Sequence, residues 1–115
     1  MKKYMLTSET RAVNGVVLHR IQRLSDGALG GWVEGEKNLS QTGACWVYGS
    51  ARVYGETRVY GSARVYGSAR VFGSARVYGE TRVYGSARVY DAARVFGEAR
   101  VGGRVLVCGN ASLPN

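Results

Sequence analysis

The sequence predicts an all-β fold: a single-stranded parallel β-helix, triangular in section, with about 18 residues per coil and an N-terminal β-hairpin cap. Three observations predict it. Valine recurs every six residues at 47, 53, 59, 65, 71, 77, 83, 89, 95 and 101 without an insertion. The residues between the valines keep one pattern, from Val-Tyr-Gly-Ser-Ala-Arg at 47–52 to Val-Phe-Gly-Glu-Ala-Arg at 95–100. Small and β-branched residues sit two apart in that pattern, which is the spacing of one face of a strand.

Residues 1–30 follow different rules and read as a β cap. Tyr4-Met5-Leu6 and Val16-Val17-Leu18 are strand-like, and Asn14-Gly15 between them is a strong hairpin-turn signal. A cap has a physical purpose, because the end of a coil is an open sheet edge that invites aggregation.

Residues 31–115 read as the β-helix, the two regions making one domain. In each Ala-Arg-Val-Tyr the Ala and Val share the inner face and the Arg and Tyr the outer one. Gly-Ser or Gly-Glu then makes the corner, where glycine supplies backbone freedom. A helix fails on two counts. A strict period of six does not keep one face apolar at 3.6 residues per turn, and the recurring glycines would weaken it. Strands this short cannot pair locally, so they stack on the next coil; three hexads close a coil and place residue i over i+18, about 4.8 Å away. The register continues through Val107 to Leu113. Backward, it puts Gln41 in the valine place and Gly43, Cys45 and Trp46 in the glycine, alanine and arginine places. About four to five coils then make a rod roughly 20–24 Å long, with a dry interior of Val and Ala and no room for a ligand. Binding has to happen outside the coil or at its ends.

The net charge is +8 in 115 residues, with a pI near 9.9, which favours anionic partners. No run approaches the roughly 18 apolar residues of a membrane span, and Met1-Lys2-Lys3-Tyr4 leads into no apolar signal stretch. The expected location is the cytoplasm, away from membranes. The two cysteines suit a reducing compartment. Cys45 takes an inward place and Cys108 an outward one, 63 positions away. That is on the order of 15 Å along the axis, too far for a disulfide. No Cys or His spacing suggests a metal, and no cofactor is expected.

The hexads resemble those of the hexapeptide-repeat left-handed β-helix superfamily, which contains many acyltransferases. The segments Gly30-Gly31-Trp32-Val33, Asn38-Leu39-Ser40-Gln41 and Cys45-Trp46-Val47-Tyr48 resemble more closely the YdcK-like acyltransferases and related prophage proteins. In those, segments like Lys3-Tyr4-x-Leu6 and Val17-Leu18-x-Arg20-Ile21 precede the coils. The resemblance implies a left-handed coil, a phage or prophage origin, side-by-side homo-oligomers (trimer or dimer) and, for an enzyme, a histidine as base. The one histidine, His19, falls in the cap, where a lone ring is ordinary packing; it is the weak catalytic candidate. The serines of the regular hexads, Ser50, Ser62, Ser68, Ser74 and Ser86, sit at corners, which is a turn preference.

The outer ladders are the candidate binding face. Arginines stack as Arg52/Arg70/Arg88, Arg58/Arg76/Arg94 and Arg64/Arg82/Arg100. Beside them run Tyr48/Tyr66/Tyr84, Tyr54/Phe72/Tyr90 and Tyr60/Tyr78/Phe96. Without any ligand such ladders keep a β-rod soluble, Arg over Tyr offsetting part of the repulsion between stacked charges. As a site, they have the Arg and aromatic composition of protein interfaces. The expectation is a non-catalytic scaffold or binding module for a protein partner, another copy included. The alternatives are an acyltransferase-like enzyme and a binder of nucleic acid or nucleotides acting on a host system. Nucleic acid ranks behind protein because the charge lies on all three faces instead of one stripe.

Overall fold

The structure is a computed structural model that describes residues 2–114. Strand β1 (Tyr4–Val13) turns through Asn14 and Gly15 into β2 (Val16–Arg23), its antiparallel partner. Both turn residues have positive φ, 50° and 80°, as the tightest hairpin turn demands. β2 then pairs antiparallel with β3 (Leu29–Val33), and β3 opens the solenoid.

From there the chain winds around three parallel faces. The first holds β3, β5 (Arg52–Val53), β8 (Arg70–Val71), β11 (Arg88–Val89) and β14 (Leu106–Val107), and with the hairpin forms a seven-stranded sheet. The second holds β6 (Arg58–Val59), β9 (Arg76–Val77), β12 (Arg94–Val95) and β15 (Ser112–Leu113). The third holds β4 (Trp46–Val47), β7 (Arg64–Val65), β10 (Arg82–Val83) and β13 (Arg100–Val101). Like stands over like eighteen residues on: Arg52 over Arg70, Arg58 over Arg76, Arg64 over Arg82. The only other regular element among the described residues is a 3-10 turn at Glu36–Asn38, and none of their helices is long and apolar enough to cross a membrane.

The valines that recur every six residues from Val47 to Val107 are buried, as are the inner alanines Ala51, Ala63, Ala69, Ala75, Ala87, Ala93 and Ala99, with Thr57 and Thr81 taking two of the alanine places. Backbone bonds run coil to coil, each Arg N–H donating to the carbonyl of the residue preceding its counterpart, as from Arg58 to Ala75 at 3.1 Å. A coil therefore needs a coil above and below, and stability is a sum over neighbours.

The corners explain the glycines. Gly79 has φ of 74°, and a Cβ there would stand 2.8 Å from the Gly97 backbone nitrogen. Gly79→Ala should destabilise by about 1–3 kcal/mol, from left-handed strain and the clash together; a urea titration reads this as a lower midpoint at unchanged slope. Asp91 is the exception at a glycine place, with φ of 59°. Its Oδ2 accepts a bond from Gly109 N at 3.1 Å, which offsets part of the strain.

The backward register needs one correction. Leu39, not Gln41, takes the valine place: it bridges to Val59, and Val33 pairs with Val53. The first coil is thus two residues longer than the rest. Gln41 leaves the wall because its amide clamps the cap. Its Oε1 accepts from Lys3 N (2.8 Å) and Tyr4 N (3.1 Å), and its Nε2 donates to Tyr4 O (3.2 Å). Gly43, Cys45 and Trp46 keep their places, Gly43 under Gly61 and Trp46 under Arg64, with Cys45 buried.

Tyr4 plugs the coil end. Its side chain is fully buried in the same core as the valines, its ring meets Trp46 edge-on at 6.0 Å, and its hydroxyl donates to Leu39 O at 2.6 Å. Burial pushes its phenol well above the usual range, with Glu36 adding to the effect, so it remains a donor. In the last coil Val105, in an alanine place, is exposed, and Leu106 is exposed because it takes an outward arginine place over Arg88.

Candidate functional site

The three outer faces share one sequence pattern but present different surfaces. On the first face the hairpin tip folds over the ladder. Val13, Val16 and Leu18 pack with Trp32, Tyr54 and Phe72 into a second small core, and Tyr54 is only 8% exposed. Arg11 lies over the Trp32 ring at 4.6 Å and Arg20 at 5.9 Å. Arg52 is caught beneath: its Nε is buried without a hydrogen-bond partner, and desolvation, with Arg70 and Arg11 nearby, lowers its pKa. The lower half of this face is therefore packing surface. Arg88 and Tyr90 stand beyond the hairpin's packed core, Arg88 exposed and Tyr90 half-buried.

The second and third faces stay open. Arg58, Arg76 and Arg94 are exposed on the second, and Arg64, Arg82 and Arg100 on the third. Their aromatic ladders are nearly parallel stacks, Tyr60–Tyr78 at 4.8 Å and 3°, Tyr78–Phe96 at 5.3 Å and 8°, Tyr66–Tyr84 at 5.4 Å and 12°. Tyr48, at the open start of its ladder, meets Tyr66 edge-on at 6.2 Å. On the first face Tyr54, Phe72 and Tyr90 stack in the same way at 5.3 and 5.1 Å. Ring over ring at this spacing is the favourable offset geometry, so the aromatic columns hold the guanidinium columns in register.

Each open face has a groove. On the third, a hollow of about 430 Å³ is lined by Ser62, Arg64, Glu80, Arg82, Glu98 and Arg100. Beside it lies a shallower one of about 290 Å³ between Tyr48, Tyr66, Arg64 and Arg82. On the second, a hollow of about 540 Å³ lies at the solenoid's start, between Lys37, Ser40, Arg58, Tyr60 and Arg76. Stacked guanidinium groups about 5 Å apart repel by roughly 1 kcal/mol in water. On the third face Glu80 and Glu98 line the same hollow as the arginines and offset part of that repulsion.

The structure brings the ladder residues together as the register requires and leaves His19 apart. His19 sits half-buried on β2 opposite Thr10 and Val33, and its Nδ1 lies 3.2 Å from Thr7 O. That ring nitrogen is engaged by the hairpin backbone. Among the described residues no three of His, Cys, Asp and Glu gather as a metal site would require. Both cysteines are free, Cys45 buried and Cys108 exposed.

Two features escape a reading by repeat alone. The hairpin lid on the first face is one; its signal is the apolar trio Val13, Val16 and Leu18 around a turn, which must pack on something. The basic hollow at Lys37 and Ser40 is the other, hidden by the two-residue slip between Leu39 and Val47.

Fold and repeat together define a parallel β-solenoid of hexapeptide repeats. Residues 63–79 match the family described as YdcK Beta solenoid repeat. The chain is also similar to the "Uncharacterized acetyltransferase YdcK" of Escherichia coli (strain K12), 37% identical over 62 residues, which is 42% of this chain and 19% of that protein. The chain spans about a fifth of the matched relative's length.

Proposed function

We infer that this chain is a non-catalytic binding module that receives an acidic protein surface on its open Arg/Tyr faces. One observation carries the reading: Arg64, Arg82 and Arg100 stand exposed and in register on one open face. A closed interior of Val and Ala agrees with it, since recognition is then left to the outside. Flat, aromatic, Arg-rich surfaces suit protein partners. A second copy brings arginines against arginines, so a homo-oligomer through these faces needs intervening carboxylates such as Glu80 and Glu98.

Poly-L-glutamate, titrated by fluorescence anisotropy, tests the reading. Arg64→Glu/Arg82→Glu/Arg100→Glu should weaken binding at least tenfold more than Lys2→Glu/Arg23→Glu/Arg104→Glu, which changes net charge equally. Equal losses would reduce the effect to overall charge. A single-stranded DNA arm separates the nucleic-acid alternative, whose affinity falls steeply with salt. Sedimentation over a concentration range addresses self-association; a single-chain mass throughout removes the homo-oligomer.

A second reading rests on the likeness to a protein named an acetyltransferase. It assigns His19 as base. Acetyl-CoA binding or acetyl transfer that is lost in His19→Ala would support it over the first.

A further inference from the structure

The aromatic ladder of the second face stops one rung short. Tyr60 stacks on Tyr78 through one face of its ring, at 4.8 Å and 3°. One coil below Tyr60 the aromatic place belongs to Ser40, as its N–H bond to Val59 O (2.9 Å) shows. Ser40 cannot reach up: its hydroxyl is held in the corner by Thr42 Oγ1 and Thr42 N, both at 3.1 Å. The neighbouring arginine place is empty as well. Asn38 occupies it and is fully buried, its side chain drawn inward by bonds to Gly55 O and Thr57 O at 3.0 Å and from the Glu34 and Gly35 N–H groups. With both outward positions vacated, the wall steps in and leaves the hollow of about 540 Å³.

Its lining is specific in chemistry. Tyr60 sits at its edge with no ring one coil below, Ser40 offers a short floor, and Lys37, Arg58 and Arg76 bring three cations. One carboxylate opposes them, Glu56, which pairs with Lys37 at 3.0 Å with both side chains largely in water. Excess positive charge beside an unstacked aromatic face fits a planar ring that carries an anion. We propose that this hollow binds a mononucleotide-sized ligand, a planar aromatic ring bearing a phosphate. The ring stands where a fourth rung of the ladder is missing, and the phosphate lies between Arg58, Arg76 and Lys37. A hollow of this size is within the range of small-ligand sites, and base stacking on tyrosine tolerates any base.

This site shares Arg58 and Arg76 with the open faces of the acidic-surface reading, and one substitution divides the two. Ser40→Tyr supplies the missing ring and leaves every ladder arginine in place. Adenosine 5′-monophosphate, adenosine and inorganic phosphate are titrated by calorimetry into the wild type, Ser40→Tyr and Arg58→Gln/Arg76→Gln. The nucleotide should bind at least tenfold more tightly than either fragment. Ser40→Tyr should lose at least tenfold in nucleotide affinity while keeping its poly-L-glutamate binding. The double Arg variant, altered only at exposed positions, should lose nucleotide affinity by a similar factor whether or not the Ser40 variant folds. Phosphate binding as tightly as the nucleotide, undiminished affinity in either variant, or no nucleotide binding at millimolar concentration would each overturn the proposal.

Discussion

Val83→Asp should abolish the cooperative unfolding transition, whereas Arg82→Asp, one residue away, should change stability by no more than about 0.5 kcal/mol. Val83 is fully buried and stacked between Val65 and Val101, with aliphatic groups above, below and across the tube. An ionised carboxylate there has neither water nor a cation. Its desolvation costs several kcal/mol after relaxation, a large share of the roughly 5–15 kcal/mol by which a domain of this size is stable. Arg82 points the other way, into solvent. Because the side-chain period along a strand is two, neighbouring positions of one hexad differ by the whole distance between core and water. Val83→Ala, which removes methyl groups without adding charge, should cost about 1–3 kcal/mol. Circular dichroism under a urea gradient separates all three.

Tyr4→Ala should be the most damaging change in the cap, costing about 3–5 kcal/mol. The ring closes the first coil against Trp46 and Leu39, so its loss opens a hole at the end of the valine column. The N–H groups of Lys3 and Tyr4 would remain on Gln41, but the plug would be gone. An uncapped coil end is an unpaired sheet edge, so aggregation on heating should rise as well. Tyr4→Phe keeps the packing and loses the hydroxyl bond to Leu39 O, at about 1–2 kcal/mol. Light scattering alongside the melt distinguishes a lost plug from a lost hydrogen bond.

The solenoid was legible because its constraint repeats. Each valine meets the same environment as the one eighteen residues earlier, so a single rule applied to the hexads from Val47 to Val101 places every inner and outer side chain between them. Asn14-Gly15 was legible for a similar reason, since that dipeptide satisfies a turn few others can. Where the rule changes, it gives no warning. Val33 and Leu39 are spaced by six and so are Val47 and Val53, yet eight residues separate Leu39 from Val47. Extending the frame backward from Val47 puts Gln41 in the wall, and only the clamp on Lys3 and Tyr4 accounts for the slip. The candidate site shows the same division. The ladders follow from the register, but their accessibility does not. Tyr54 and Tyr60 hold the same place in the repeat; one is sealed by a hairpin tip that arrives from outside the repeat, and the other faces a hollow that the slip creates.

The stacking of i on i+18 carries everything above, and engineered disulfides test it most directly. In a Cys108→Ser background, Tyr66→Cys/Tyr84→Cys places two outward thiols on adjacent rungs of one face, about 4.8 Å apart, a separation a disulfide spans. Tyr66→Cys/Tyr90→Cys places them on different faces. Mild oxidation should lock the first pair as an intrachain disulfide, seen as a faster band on non-reducing gels and by mass spectrometry of the linked peptides, and should leave the second as free thiols. Locking of the second pair with the first left open would contradict the three-hexad coil.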